Sequence, residues 1–301
     1  VMSTFLYLIM ILAWGFSWIA IKWQGTDVPM EVSILYRFAI ATAVMFIIGI
    51  SCKKLQKVSL SQHKFIALQG GMLFCCNFLA FYSATSYIAS GLAAVVMASI
   101  PVFNAVHGKL FYKTPCSANF WLGVCVGLAG IGMLFSAELE NSAWSADTLI
   151  GLGYALLGTW CFSLGNMLSI RSSRNNILPF TSTSYAMLYG CAALLLIIFF
   201  KDIEFTYNSD IQYLASLLYL AIPASVIGFT CYLILVDRIG ANHASYLLVI
   251  TPVVALIISA FYEGYQWTIY SSMGLVLVVM GNIISKRQRR LSFNLSRRKL
   301  A

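Results

Sequence analysis

Apolar residues dominate ten stretches of the chain, and a short polar segment separates each stretch from the next. Every stretch has roughly 18 residues or more, which is enough to cross the ~30 Å hydrocarbon layer of a bilayer as an α-helix. Because lipid offers the backbone no hydrogen-bond partners, spanning segments of this kind must be helical. The pattern predicts ten transmembrane helices, at residues 3–21, 33–51, 65–85, 90–111, 117–136, 149–169, 180–200, 212–236, 241–262 and 268–285.

The composition agrees with a chain embedded in a lipid bilayer. Hydrophobic residues make up 60% of the sequence and charged residues 10%, whereas soluble domains carry about 25% charged residues. The first stretch lacks a preceding basic region and a following cleavage pattern, so we expect a retained helix rather than a signal peptide. The predicted fold class is an all-α integral membrane protein.

Lysine and arginine residues are concentrated on one side of the predicted topology. With the N-terminus in the cytoplasm, most of the 19 fall in the even-numbered loops and in a basic tail at 286–301. Basic loops stay in the cytoplasm, so both termini are predicted to be cytoplasmic, in a plasma membrane such as the bacterial inner membrane. The net charge of +9 then reflects topology and contact with anionic lipid rather than nucleic-acid binding.

Several residues recur at a nearly constant distance along the chain. Trp14, Phe16 and Ser17 match Trp160, Phe162 and Ser163 at an offset of 146, and at an offset of 151 Pro101 matches Pro252, Gly123 matches Gly274 and Gly130 matches Gly281. Prolines and glycines weigh most, because each marks a backbone event rather than hydrophobicity alone. The sequence predicts a first five-helix repeat at 1–136, an external linker at 137–148 and a second repeat at 149–285. Because five is odd, the second repeat is inverted, as in many secondary transporters.

These features resemble the drug/metabolite transporter superfamily, in particular its ten-helix EamA-type branch. The resemblance covers residues 3–285 and rests on "AWGFSWIAIK" in the first span, "YRF" opening the second, "SIPVF" in the fourth, "TPVVA" and "FYEG" in the ninth, and the glycines of the fifth and tenth. It implies a secondary transporter that exports small organic metabolites, such as amino acids or related compounds, by alternating access. It also implies a central cavity lined by spans 1, 3, 4, 6, 8 and 9.

Two repeat-related helical faces carry the first candidate substrate-binding residues. Trp14 and Ser17 lie three residues apart and share one face, which Trp160, Ser163 and Asn166 repeat in the sixth span. If both faces point inward, aromatic rings and small polar groups meet near the midplane, which suits a compact amphipathic solute. The alternative is that the tryptophans pack against neighbouring helices or lipid.

The other candidates lie in the remaining spans predicted to line the cavity. They are Asn77, Phe81 and Tyr82 in the third span, Ser99 in the fourth, Tyr232 in the eighth and Tyr246 in the ninth. A deeply placed amide such as Asn77 is expected to face protein or water, whereas Ser99 has the alternative of bonding its own helix carbonyl. Pro101 and Pro252 bend their helices near mid-membrane and are the predicted hinges.

Arg37 is the one charged residue placed clearly within a predicted span, about a turn below the outer surface. Its side chain has two possible roles. It either attracts a substrate carboxylate, or it extends outward and pairs with Asp27 or Glu31. The sequence leaves both open.

A GxxxG motif runs from Gly123 to Gly127 in the fifth span. Small residues at this spacing let two helices approach closely, either within the fold or between protomers. We favour packing within the fold and expect a monomer or a weak homodimer.

The sequence does not indicate a catalytic or metal site. The eight cysteines lack metal-ligand spacing, and none of the ten acidic residues falls near the centre of a span. We predict no metal, no cofactor, no enzymatic activity and a uniporter or exchanger without a proton-carrying carboxylate. The rival interpretations are an intramembrane lipid-modifying enzyme, which would need acidic or histidine clusters near one interface, and a membrane scaffold, which would leave the duplication unexplained.

Overall fold

The computed structural model describes residues 2–113, 118–141, 146–232 and 247–286, and every regular element in these ranges is helical. The α-helices are α1 (Met2–Gly15), α2 (Ser17–Lys22), α3 (Met30–Ser51), α4 (Leu60–Gly70), α5 (Asn77–Tyr87), α6 (Ser90–Met97), α7 (Ile100–Tyr112), α8 (Ala118–Asn141), α9 (Ala146–Arg174), α10 (Pro179–Phe200), α11 (Ile211–Tyr219), α12 (Leu247–Tyr262) and α13 (Ile269–Lys286). A π-helical segment, π1 (Gly71–Cys76), joins α4 to α5, and a second, π2 (Leu220–Ile227), continues α11.

The described helices include six that are long and apolar enough to cross a membrane. They occupy Met30–Ser51, Leu60–Tyr87, Ser90–Tyr112, Ala146–Arg174, Pro179–Phe200 and Ile211–Tyr232, and shorter apolar helices lie at Leu8–Lys22, Ala118–Leu134, Thr251–Tyr262 and Ile269–Gly281. Large apolar side chains such as Phe199 and Phe261 expose 78% and 82% of their surface. Extensive exposed apolar surface is unfavourable in water, so the fold is that of an all-helical, multi-pass integral membrane protein.

The buried core combines helices from both halves of the chain. One part is built around Phe38, Phe74 and Met187, where α10 packs against α3, α4 and π1. The other surrounds Leu92 and Leu256, where α6 packs against α12. The long helix α9 lies along α5.

The helices differ from the sequence prediction at some ends and at two interruptions. α8 continues to Asn141 and α9 begins at Ala146, so both extend into the segment 137–148 that the sequence predicts as a linker. The first span is interrupted at Phe16, and the fourth at 98–99, just before Pro101 in the first turn of α7. Hydropathy reports apolar content only, so it does not locate breaks of this kind.

Both π-helical segments contain a residue that disturbs a regular helix. π1 follows Gly70 and starts at Gly71, while π2 contains Pro223, which cannot donate a backbone hydrogen bond. A π segment widens the turn and releases carbonyl oxygens from the i→i−4 pattern. Ser225 Oγ in π2 accordingly donates to the oxygen of Leu220, five residues earlier, at 2.8 Å.

The same helix ending closes α3, α9 and α10. α3 and α10 both have 22 residues, and each is followed by a residue with positive φ, Lys53 at 52° and Asp202 at 53°. Equivalent Schellman-type hydrogen bonds close the two turns, from Lys54 N to Gly49 O (2.8 Å) and from Ile203 N to Ile198 O (3.0 Å). After α9, Asn176 has a φ of 58° and Ile177 N donates to Ser172 O at 3.1 Å. The endings of α3 and α10 are related by an offset of 149, whereas the ending of α9 has no such relation to either.

Other backbone features recur at an offset close to 151. The first helical residues Leu60 and Ala118 match Ile211 and Ile269. π1 at 71–76 matches the end of π2 at 220–227. α7 and α12 are followed by Lys113 and Gly264, whose φ angles are 53° and 70°.

The helices α8 and α13 pack with their backbones in contact. A Cβ atom added to Gly281 would lie 2.5 Å from both Gly123 O and Gly127 N, and one added to Gly130 would lie 2.6 Å from Gly274 O. Only glycine allows this approach, as in membrane helix pairs built on small residues. The predicted packing of the GxxxG motif within the fold is confirmed.

Candidate functional site

Trp14 connects α1 to the second π-helical segment. Its Nε1 donates to the carbonyl oxygen of Ala224 at 2.9 Å, and its ring lies 5.7 Å from that of Phe229 and 5.8 Å from that of Tyr232. Ser17, the first residue of α2, donates its Oγ hydrogen to Trp14 O at the end of α1, 2.7 Å away, across the interruption at Phe16. The structure therefore brings the candidates Trp14 and Tyr232 together, while the Ser17 hydroxyl is engaged by the backbone of its own span.

Trp160 in α9 contacts His107 in α7, which belongs to a hydrogen-bonded set of side chains between these two helices. Its side chain is 42% exposed, and its ring lies 5.8 Å from the His107 ring. The buried Ser163 Oγ donates to Asn104 Oδ1 at 2.7 Å and lies 2.8 Å from His107 Nδ1. Because the serine has a single hydroxyl hydrogen, His107 Nδ1–H is the donor in the second bond. Asn166, one turn beyond Ser163, is half-buried.

Trp14 and Trp160 contact different neighbours among the described residues. Trp14 lies against π2 and Trp160 against α7, and the described aromatic contacts include no direct contact between the two rings. The sequence predicts that the helical faces of Trp14 and Trp160 meet near the midplane. In this conformation the two rings are not in contact.

Asn77 and Phe81 hold α5 against neighbouring helices. Asn77 Nδ2 donates to Gly158 O in α9 at 2.9 Å, and both candidates are buried. The Phe81 ring lies 5.0 Å from the Trp18 ring in an edge-to-face arrangement and also covers Gly158. As predicted, the deep amide faces protein, and in this conformation both side chains serve packing.

Arg37 is buried within α3, with 3% of its surface exposed. Its Nε donates to Ser225 Oγ in π2 at 3.2 Å, and its guanidinium lies over the Phe78 ring, 4.4 Å from the ring centroid. Tyr82 from α5 also interacts with the guanidinium. Arg37 thus points into the protein and links α3 to a helix of the second half of the chain.

The predicted alternative for Arg37, an outward pair with Asp27 or Glu31, is wrong. Glu31 forms its ion pair with Lys201 at 3.1 Å, and Asp27 is exposed. Lys201 reaches Glu31 from the end of α10, a tertiary contact that the sequence does not reveal. The guanidinium therefore lacks a carboxylate partner among the described residues.

Tyr82 extends this polar group toward the segment after α2. Its hydroxyl donates to Gln24 Oε1 at 2.7 Å, and both side chains are buried. Arg37 Nη1 and Gln24 Nε2 are buried donors without a hydrogen-bond partner in the described structure. We call Gln24, Arg37, Tyr82 and Ser225 the arginine cluster. The sequence analysis missed Gln24 and Ser225, since one follows an apolar span and the other resembles any serine within a helix.

The remaining candidates are Ser99, Tyr246 and the two predicted hinges, Pro101 and Pro252. Ser99 Oγ donates to Val96 O at 2.6 Å, which is the predicted alternative of bonding its own helix. Pro101 lies in the first turn of α7, whereas Pro252 lies inside α12. Tyr246 lies outside the described residues.

Glu263 has a capping role that the sequence analysis missed. Its carboxylate accepts hydrogen bonds from Ser90 N at 3.0 Å, from Ser90 Oγ at 2.8 Å and from Ser259 Oγ. Ser90 is the first residue of α6, whose own N-cap, Ala89, supplies no side-chain bond. Glu263 therefore caps α6 from a different part of the chain, and the negative charge favours that helix end.

The comparisons with known proteins decide the class of protein. The model of the EamA-like transporter family matches residues 1–136 and 149–286. The chain belongs to the EamA-like transporter family. The resemblance inferred from the sequence is thereby confirmed, and this EamA-like chain is a membrane transporter by family.

Individual relatives extend over most of this EamA-like chain. It is 24% identical over 292 residues to "Protein PagO" of Salmonella typhimurium, a match that covers 95% of this chain and 93% of that protein. It is 26% identical over 255 residues to "Uncharacterized transporter YyaM" of Bacillus subtilis, covering 83% and 82%. A solved structure titled "Crystal structure of protein" covers 96% of this chain and 98% of its own, with a TM-score of 0.66 and 17% identity, so it shares the fold.

Proposed function

We propose that this EamA-like protein is a secondary transporter that exports small organic metabolites, amino acids or related compounds, by alternating access. Its ten transmembrane helices form two inverted five-helix repeats around a central substrate site. The observation that carries this proposal is the recurrence of backbone features at an offset of 151, including the first residues of two pairs of helices, the π-helical segments and the positive-φ residues after α7 and α12. An inverted repeat is a transporter architecture that an anchor or a scaffold does not need.

The glycine contacts between α8 and α13 support the same symmetry. Adding 151 takes Gly123 to Gly274 and Gly130 to Gly281. The contact of Gly123 with Gly281 is therefore exchanged with the contact of Gly274 with Gly130, as a two-fold relation between the repeats requires. The two matched stretches of the family model, 1–136 and 149–286, also agree with the proposed repeats.

The proposed substrate site uses side chains that differ in accessibility. Trp160 is exposed, and Trp14, Asn166 and Tyr232 are partly buried, so these four supply aromatic and amide surface to a solute in this conformation. The buried members Ser17, Asn77, Phe81, Ser99 and Ser163 position the helices, and exposure of their polar atoms requires a conformational change. We assign that change to the helix interruptions, to π1 and π2, and to Pro101 and Pro252.

Orientation and energy coupling complete the proposal. The basic loops support an orientation with both termini in the cytoplasm, in a plasma or bacterial inner membrane. Glu263 is engaged in capping α6, which supports uniport or exchange rather than proton coupling through this carboxylate. The transporter works as a monomer or a weak homodimer, with lipid and a small solute as its partners.

A ligand screen followed by an uptake assay tests the proposal. Solutes that raise the thermal stability of the purified protein are identified first, and uptake into proteoliposomes is then measured. Trp160→Ala is expected to lower uptake about tenfold, which corresponds to ~1.4 kcal/mol of lost binding. The matched control is Trp121→Ala in α8, because Trp121 is similarly exposed at 48% and lies outside the proposed site. Equal uptake by both variants would contradict the site, and the absence of uptake of any stabilising solute would contradict the function.

A further inference from the structure

We propose that the arginine cluster is a carboxylate-binding site, so that the substrates are organic solutes carrying a planar carboxylate group. This inference rests on the proposed transport function and specifies its substrate class. Three members, Gln24, Arg37 and Tyr82, come from the first half of the chain, and Ser225 comes from the second. A ligand held here therefore contacts both proposed repeats.

The first argument is the charge of Arg37. An ionised group buried away from water is unfavourable unless it is paired with an opposite charge. Among the described acidic residues, Glu31 pairs with Lys201 and Glu263 caps α6, and the others whose side chains are described are exposed. The Phe78 ring contributes a cation–π interaction but no negative charge. Among the side chains that the structure describes, none supplies a negative charge to compensate the guanidinium of the cluster.

The second argument is the direction of the hydrogen bonds. The hydrogen of the Tyr82 hydroxyl goes to Gln24 Oε1, because an amide oxygen only accepts. This bond fixes the amide of Gln24 with its Nε2 hydrogens directed away from Tyr82. Both groups left without partners, Arg37 Nη1 and Gln24 Nε2, are therefore donors. A site with two free donors and no free acceptor selects an anionic acceptor.

The shape and the single charge of the guanidinium indicate which anion fits the site. A guanidinium presents planar N–H groups that match the two oxygens of a carboxylate, and a single positive charge balances a single negative one. A phosphate dianion would need a second cation. No second cation contacts the cluster among the described residues, and Lys22 is exposed and donates to the carbonyl oxygen of Thr85.

The sharpest test supplies the missing carboxylate within the chain. Ser225 Oγ lies 3.2 Å from Arg37 Nε, so Ser225→Asp places a carboxylate beside the guanidinium. Ser225→Asn is the matched control, because it has nearly the same shape without the charge. We expect the aspartate variant to unfold at a temperature about 3 °C or more above that of the asparagine variant, and to lose uptake. An aspartate variant no more stable than the asparagine variant would overturn the proposal.

A second test varies the solute and keeps the protein intact. Organic acids are compared with their own carboxamides as stabilisers of the wild-type protein, and as substrates in proteoliposomes. We expect each amide to require a concentration at least ~10-fold higher than its acid, a difference of about 1.4 kcal/mol, and Arg37→Gln to abolish this preference. Amides that bind and are transported as well as their acids would overturn the carboxylate site but leave transport established. Failure to transport any solute would contradict the proposed function itself. The unfolding temperatures of the two Ser225 variants would then test the carboxylate site without a transport assay.

Discussion

Replacing Glu263 with glutamine removes one negative charge from the start of α6 while keeping the side chain nearly the same size. The native carboxylate accepts from Ser90 N, Ser90 Oγ and Ser259 Oγ, and both serines are buried. The amide of glutamine offers one acceptor oxygen instead of two. All three partners donate to Oε2, and Ser90 N also lies 3.2 Å from Oε1, so with the amide oxygen in the place of Oε2 the NH₂ group faces the Ser90 N–H, another donor.

The expected cost follows from these bonds. A hydrogen bond to a charged group contributes about 1.5–3 kcal/mol, against ~1 kcal/mol for a neutral one. The charge at the helix N-terminus adds about 0.3–1 kcal/mol. Because glutamine keeps part of the bonding and Glu263 is only half-buried, we expect a loss of about 1–2 kcal/mol of folding stability. For a chain of this size that corresponds to a decrease of roughly 2–8 °C in the unfolding temperature.

Two measurements on the same variant separate capping from proton coupling. Thermal unfolding of the purified protein reports the cap, with Glu204→Gln as the control because Glu204 is an exposed acidic residue. The control is expected to change stability by less than about 0.5 kcal/mol. Uptake with and without an imposed pH gradient reports coupling, and we expect the same gradient-insensitive flux in the wild type and in both variants.

One combination of results would refute this reasoning. If Glu263→Gln unfolds at the wild-type temperature while a gradient-driven accumulation seen in the wild type disappears, then the carboxylate serves transport chemistry. The assignment of Glu263 as a helix cap would have to be abandoned.

Three further changes test other parts of the structure. Gly281→Ala should destabilise the protein by about 1–3 kcal/mol, because its Cβ meets the backbone of α8. Gly127→Ala, whose Cβ meets nothing within 4 Å, should be close to neutral in thermal unfolding, and equal effects would contradict the packing. Trp14→Phe removes the donor to Ala224 O and should cost about 1 kcal/mol with slower uptake, whereas wild-type values would exclude a role for this bond. Ser142→Cys should react with an impermeant thiol reagent in intact cells, and reaction only after lysis would reverse the proposed orientation.

The helical, membrane-embedded character of the chain was predictable from the sequence, because apolar length is a direct requirement of the bilayer, and six described helices are long and apolar enough to cross it. The backbone contact of α8 with α13 was predictable as well, because glycines at four-residue spacing indicate that two helices approach closely. The interruption at Phe16 and the π-helical segments were not predictable in this way. They depend on local backbone geometry and on partners such as Trp14 and Ala224, which lie far apart in the chain.

The candidate site was predictable as a set of residue types but not as a set of contacts. Arg37 stood out because a charge within a span is costly, yet its direction depended on Lys201 taking Glu31. Gln24 acquires significance only because the fold buries it beside Tyr82. Such pairings come from tertiary structure, so neither periodicity nor composition contains them.

Counterflow in proteoliposomes tests the central claim most directly, because it distinguishes a carrier that alternates between two openings from a pore or a scaffold. Vesicles containing the protein are loaded with an unlabelled organic acid from the ligand screen and diluted into a trace of the labelled acid, without a pH gradient. The account predicts a transient accumulation of label above its external concentration, which Ser225→Asp abolishes. Equilibration without accumulation, or no entry of label for any stabilising acid, would contradict it.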